Sequence, residues 1–173
     1  MKTDNIEKYL NSFGKQVVNR AKGNLQKAGK GGNLENSITF KVVTEADGFS
    51  VQFYMDSYDT FVDKGVSGTK TKRTFKDYKS KTISSPYKYT TKQPPSRVLD
   101  KWIVKKGIAP RDEKGRFMSR KSISFLIARS IKRNGIQGIS FFQKPLGLGL
   151  KQFGKDLLEN VKEDIIEGLT TVN

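Results

Sequence analysis

The chain has 173 residues, with 33 Lys and Arg against 17 Asp and Glu for a net charge of +16, and it contains neither His nor Cys. Its length suits one domain with a core of its own, so residues 1–173 read as a single domain. The missing residue types exclude disulfides, thiolate and imidazole metal sites, and mechanisms built on a His base or a Cys nucleophile.

The first predicted element is a long helix. Ile6, Leu10, Phe13, Val17, Ala21 and Leu25 recur at spacings of three and four, one apolar face at the helical period. Asp4 with Glu7 three residues on has the pattern of a capping box, and the glycines of GKGG at 29–32 end the helix. Because these glycines follow a helix and precede a strand, they lack the strand–loop–helix setting of a phosphate loop. A β-hairpin comes next. Ile38, Phe40 and Val42 alternate with polar residues, as do Phe49, Val51, Phe53 and Met55, with Ala46-Asp47-Gly48 as the turn. Alternation implies one buried face, and the first helix is the expected cover. Tyr58, Phe61 and Val62 then fit a short helical turn closed by Gly65.

The composition changes at residue 69. The stretch 69–92 holds 8 basic residues and one acidic, with Phe75, Tyr78, Tyr87 and Tyr89 interleaved and few aliphatics. With so little to bury, 69–95 is expected to be an extended basic loop or arm within the domain. Residues 65–150 as a whole carry 21 basic and 4 acidic side chains, so the net charge belongs to the middle of the chain.

Beyond Pro94-Pro95, Val98, Leu99, Trp102 and Ile103 predict a short amphipathic helix, with Ser96 as cap, Gly107 as stop and Trp102 in the core. A basic loop, 108–119, leads to a third helix opened by Ser119 or Ser122 and ended by Gly135. Ile123, Leu126, Ile127, Ser130 and Ile131 line one side of it, with Arg129, Lys132 and Arg133 on the other. Residues 135–145 read as a loop or short strand. A last helix runs from about Leu150 to Leu169, with Phe153, Leu157, Val161, Ile165 and Leu169 on its apolar face. The fold class is α+β: a small, mostly antiparallel sheet packed by the long N-terminal helix and by C-terminal helices. The longest apolar run, Phe125–Ala128, is far too short to span a bilayer, and the N-terminus lacks a secretory core. A soluble protein with no membrane partner is expected.

The chemistry on offer is sparse. Asp56, Asp59 and Asp63 form the one carboxylate cluster with the makings of a Mg²⁺ site, though a solvated acidic helix accounts for them more simply. No cofactor and no enzymatic activity are expected. The basic stretch carries the strongest signal. Lys70, Lys72, Arg73, Lys76, Lys79, Lys81, Lys88 and Lys92 alternate with aromatics, a pattern suited to tracking phosphates and stacking on bases. An acidic protein surface would satisfy the same charge, so these residues read as facing either a partner or DNA.

Two segments carry a resemblance. One is YMDSYDTFVDKGVSG, preceded by an S-I strand start; its matching residues are Ser37, Ile38, Tyr58, Phe61, Val62, Asp63 and Gly65. The other is GIQGISFFQKP, with Gly135, Ile136, Phe141, Phe142 and Pro145. In this order the chain resembles the neck or tail-completion (head–tail connector) proteins of tailed bacteriophages, with 69–92 and 96–134 as an extended middle. The resemblance implies a virion structural protein in the neck or tail region, assembled in the host cytoplasm. It implies a ring of neighbouring copies stacked between portal or adaptor ring and tail proteins, around a channel of packaged DNA, and no catalysis. The alternative is a free basic nucleic-acid-binding protein.

Overall fold

The computed structural model describes residues 4–45 and 48–170, and for Asp4, Lys155, Asp164, Ile165 and 167–170 the backbone alone. The expected turn at 46–47 lies outside the described residues, as do the Asp4 cap and the apolar positions Ile165 and Leu169 at the level of side chains. The helices are α1 (Asp4–Lys27), α2 (Asn33–Ser37), α3 (Asp59–Lys64), α4 (Asp100–Lys105), α5 (Arg120–Asn134) and α6 (Gln143–Thr170). The strands are β1 (Thr39–Glu45), β2 (Gly48–Tyr54), β3 (Gly65–Val66), β4 (Thr74–Lys76), β5 (Thr82–Ser84) and β6 (Ile136–Gln137). They pair two by two, β1 with β2, β3 with β6 and β4 with β5, and the fold is α+β. Among the described residues no helix is long and apolar enough to cross a membrane.

The contacts of the chain sort into two compact units, each built from separated stretches. The first takes Met1–Asp63, Lys76–Thr82 and Ile139–Asn173; the second takes Lys64–Phe75 and Ile83–Gly138.

In the first unit all six apolar positions expected on α1 are buried. The helix stops in a Schellman motif: the Lys30 N–H donates to the Leu25 carbonyl and the Gly29 N–H to that of Gln26, with Gly29 at φ +62°. Val18, Ala21 and Leu25 meet Leu34, Ile38 and Phe141 in the core. The β1–β2 hairpin lies against it in the register Phe40↔Phe53 and Val42↔Val51, which puts both pairs on one face. The N-terminal half of α1 packs on α6, where the Phe153 ring lies 5.7 Å from Tyr9 and 5.3 Å from Phe13. Burial and the neighbouring Asp156 carboxylate hold the Tyr9 phenol above its ordinary pKa.

Two expectations are corrected here. Ile38 does not open the strand; it terminates α2, whose five residues bury one apolar side chain, Leu34, too few for a period to show. The last helix begins at Gln143 rather than near Leu150. Pro145 is compatible with this start, because in a first turn a proline has no intrahelical acceptor to lose. Gly147 inside this helix serves close approach: a Cβ there would run into the Tyr78 carbonyl of the 76–82 segment.

In the second unit Ser119 caps α5, its hydroxyl accepting the Ser122 N–H at 3.1 Å. The buried stripe of α5 is Ile123, Ser124 and Ala128, so it is turned from the expected one and leaves Leu126 and Ser130 outside. Ser124 explains the turn: its hydroxyl donates to the Asp100 carboxylate at 2.6 Å and ties α5 to α4. A 3-10 turn, Ser96–Leu99, precedes α4; Ser96 is its first residue, and the cap positions fall on Pro95 for the turn and Leu99 for α4, not on Ser96. Of the expected α4 stripe, Ile103 is buried, while Trp102 is 44% exposed and not in the core. Gly107 does stop the helix, at φ +62°.

The stretch 69–95 is not a free arm. Its residues 76–82 belong to the first unit and the rest to the second. Phe75 is 8% exposed. The Tyr89 N–H bonds the Ser67 carbonyl and the Ser67 N–H that of Tyr87, both at 2.8 Å. The Thr69 and Lys70 N–H groups take the Lys132 and Arg133 carbonyls at the end of α5, each at 2.9 Å. Backbone hydrogen bonds that satisfy an otherwise open helix end fix this segment where apolar burial is scarce.

Candidate polyanion-binding surface

Of the residues singled out by resemblance, Val62, Asp63 and Phe142 are joined in the first unit by a knot of hydrogen bonds. Asp63, at the end of α3, is 4% exposed. Its carboxylate accepts the Phe142 N–H and its carbonyl the Ser140 N–H, both at 2.9 Å, while the Val62 carbonyl accepts the Ile139 N–H at 3.2 Å. Ser140, at φ +50°, accepts the Lys76 N–H on its hydroxyl at 3.0 Å. A carboxylate thus sits at the N-terminus of a 28-residue helix and satisfies a donor just ahead of its first turn. Phe141 is fully buried, Phe142 meets Phe53 edge-on at 5.2 Å, and Pro145 is buried in the first turn of α6. Ser37 ties the start of the hairpin to its end, its hydroxyl accepting the Asp56 N–H at 3.0 Å. Tyr58 and Phe61 stand partly exposed. In the second unit Gly65 pairs with Gln137 and Val66 with Ile136, and both Gly65 and Gly135 have positive φ. Asp63, Ser140, Phe141 and Phe142 close the first unit. Asp63→Ala is expected to cost about 2–3 kcal/mol in urea unfolding and Asp63→Asn roughly half that, because Asn keeps an acceptor but loses the charge.

The acidic cluster does not assemble. Asp63 is consumed by the knot, and the Asp59 carboxylate accepts the Thr60 N–H at 2.6 Å. Among the described residues no three acidic side chains gather to hold a metal ion.

The charge is concentrated elsewhere. The second unit carries 18 basic and 3 acidic side chains, net +15, against 15 and 14, net +1, in the first. The eight basic residues expected to act together are divided. Lys76, Lys79 and Lys81 lie in the first unit, where the Lys79 ammonium stands 5.5 Å over the Tyr78 ring. In the second unit Lys72, Lys88 and Lys92 are exposed. Arg73 is a clamp: its Nε donates to the Asn134 carbonyl at 2.7 Å, bracing the turn after α5. Of the eight, Lys70 lines a cleft.

That cleft, of about 470 Å³, is walled by Thr69, Lys70, Gln93, Phe125, Arg129, Lys132 and Arg133. Phe125, Arg129, Lys132 and Arg133 follow one another at four, three and one residues along α5, a single stripe of the helix surface. The opposite wall is residues 69–70, held by the two backbone bonds to the end of α5. Lys132 Nζ donates to the Thr91 carbonyl at 2.6 Å and anchors the 91–93 edge. Phe125 is 49% exposed. No acidic residue lines the cleft. The arrangement offers three further cations besides Lys132, an aromatic face and the Gln93 amide to one ligand.

Sequence reasoning placed Arg129, Lys132 and Arg133 on the wet side of a helix but did not name them as a site. The signal available was Phe125, an aromatic in register with three cations on that same side. Burial pushes the Tyr89 phenol above its ordinary pKa, and Tyr87 and Phe75 are also withdrawn, so these aromatics of the basic stretch are poorly placed to stack on a ligand. Compared with protein-family models, curated proteins and solved structures, the chain finds no match.

Proposed function

We propose that this chain is a structural subunit of the head–tail connector, or neck, of a tailed bacteriophage. Like copies would form a ring stacked between portal and tail around the DNA channel, assembled in the host cytoplasm. The observation that supports the reading is the knot at Asp63. The two segments that carry the resemblance lie far apart in sequence yet bond directly to each other through Val62, Asp63, Ile139, Ser140 and Phe142. A shared signature made of fold-closing residues suits a protein whose role is shape and assembly. A closed ring of identical subunits uses two different, mutually complementary faces on each copy. Quantitative mass spectrometry of purified particles tests the reading. A fixed, ring-like ratio to the portal is expected; absence of the chain from particles overturns it. The concentration of charge in the second unit favours a second reading, a free nucleic-acid-binding protein, which predicts that absence.

A further inference from the structure

We propose that the cleft along α5 binds a single strand of nucleic acid, with phosphates held by Lys70, Arg129 and Arg133 and a base stacked on Phe125. The inference rests on the cleft itself and holds whether the chain acts in a particle or free.

Three observations carry it. First, the cations are ordered: in the cleft Arg129, Lys132 and Arg133 follow Phe125 along one stripe of α5, and Lys121, one turn ahead of Phe125 and outside the cleft, carries that stripe to roughly 18 Å at the helical rise. A line of charge of that length tracks a backbone, whereas a compact anion needs only one focus. Second, the stripe includes an aromatic ring that is half open to solvent inside the cleft. A ring in that position gains little from a carboxylate-bearing protein surface. It gains stacking from an unpaired base, and it cannot reach the faces of bases stacked within a duplex. Third, both walls are fixed by backbone bonds, Thr69 and Lys70 to the end of α5, so the cleft is formed before the ligand arrives. Lys132, already committed to the Thr91 carbonyl, sets the edge and adds its charge.

The test uses the full chain and a fluorescein-labelled oligothymidylate of about 20 nucleotides, followed by anisotropy across a salt series. Phe125→Ala is expected to weaken binding about tenfold with the salt slope unchanged, because stacking is lost but no phosphate contact is. The triple variant Lys70→Ala, Arg129→Ala, Arg133→Ala is expected to reduce the steepness of log K against log salt by about 2, at roughly 0.7 per single-strand phosphate contact. All four side chains are exposed, so thermal melts should match those of the unaltered chain. A duplex of equal length should bind without sensitivity to Phe125→Ala. The proposal is overturned if the triple variant keeps the original slope or if Phe125→Ala leaves oligothymidylate binding intact. It is also overturned if poly-glutamate displaces the oligonucleotide at equal charge concentration, since the surface then answers to acidic protein.

Discussion

Replacing Phe141 with Ala is expected to lower the unfolding free energy by about 3–5 kcal/mol. The ring is fully buried among Val18, Ala21, Leu25, Leu34 and Ile38, so its removal leaves a cavity bounded on several sides by helix and hairpin. The backbone cannot slide in to fill it. The Phe141 carbonyl accepts the Asn24 amide at 3.2 Å, and its neighbours Ser140 and Phe142 are pinned to Asp63. Urea unfolding followed by circular dichroism measures the loss. A cost below about 1 kcal/mol would mean that the core collapses around the gap and that the knot does not hold the chain in place.

Gly135→Ala is expected to cost about 3 kcal/mol, through backbone and not burial. Gly135 has φ +70° and ψ −171°, a conformation open essentially to glycine alone. A Cβ there would also press on the Val66 carbonyl and the Gly68 N–H, which are backbone and cannot rotate away. The two effects act together on the turn joining α5 to β6. Hydrogen exchange gives a local readout: the Thr69 and Lys70 amides, bonded to the end of α5, should lose protection. Gly115→Ala is the control. It too has positive φ, +76°, but open space around its Cβ, so only the conformational cost of about 1 kcal/mol applies. If the two variants cost the same, crowding at Gly135 contributes nothing.

Legibility in the sequence followed the strength of the local pattern. On α1 six apolar residues at helical spacing give one buried face, and the β1–β2 pairing is legible from the alternation of Phe40 and Val42 with Val51 and Phe53, though not its start, expected at Ile38. The start of α6 was hidden because its determinant, the Asp63 carboxylate, lies some eighty residues earlier in the chain. The stretch 69–95 misled for a related reason. Its composition reports how little it can bury, but its order comes from backbone donors meeting carbonyls at the end of α5, which composition does not record. Trp102 misled in the opposite direction: α4 is two turns long and is tied to α5 by a polar bond at Ser124, so a large side chain on its other face stays out. The cleft was half legible. Its charge was plain, its location was not, because Lys70 and the α5 cations are brought together only by the 68–71 loop.

The interrupted course of the first unit has a consequence for synthesis. The hairpin side of α1 can be covered early, by Leu34, Ile38 and the adjoining strands. Its other end waits for α6: Phe13 meets Phe153, 140 residues later. At ribosomal rates of about 5–20 residues per second, that interval lasts roughly 7–28 s. Throughout it the nascent chain displays Tyr9 and Phe13 without Phe153, while a strongly cationic segment emerges behind them. A closure of such long range is slow, and a trigger-type chaperone holding the N-terminal helix would gain most from binding before residue 153 leaves the ribosome.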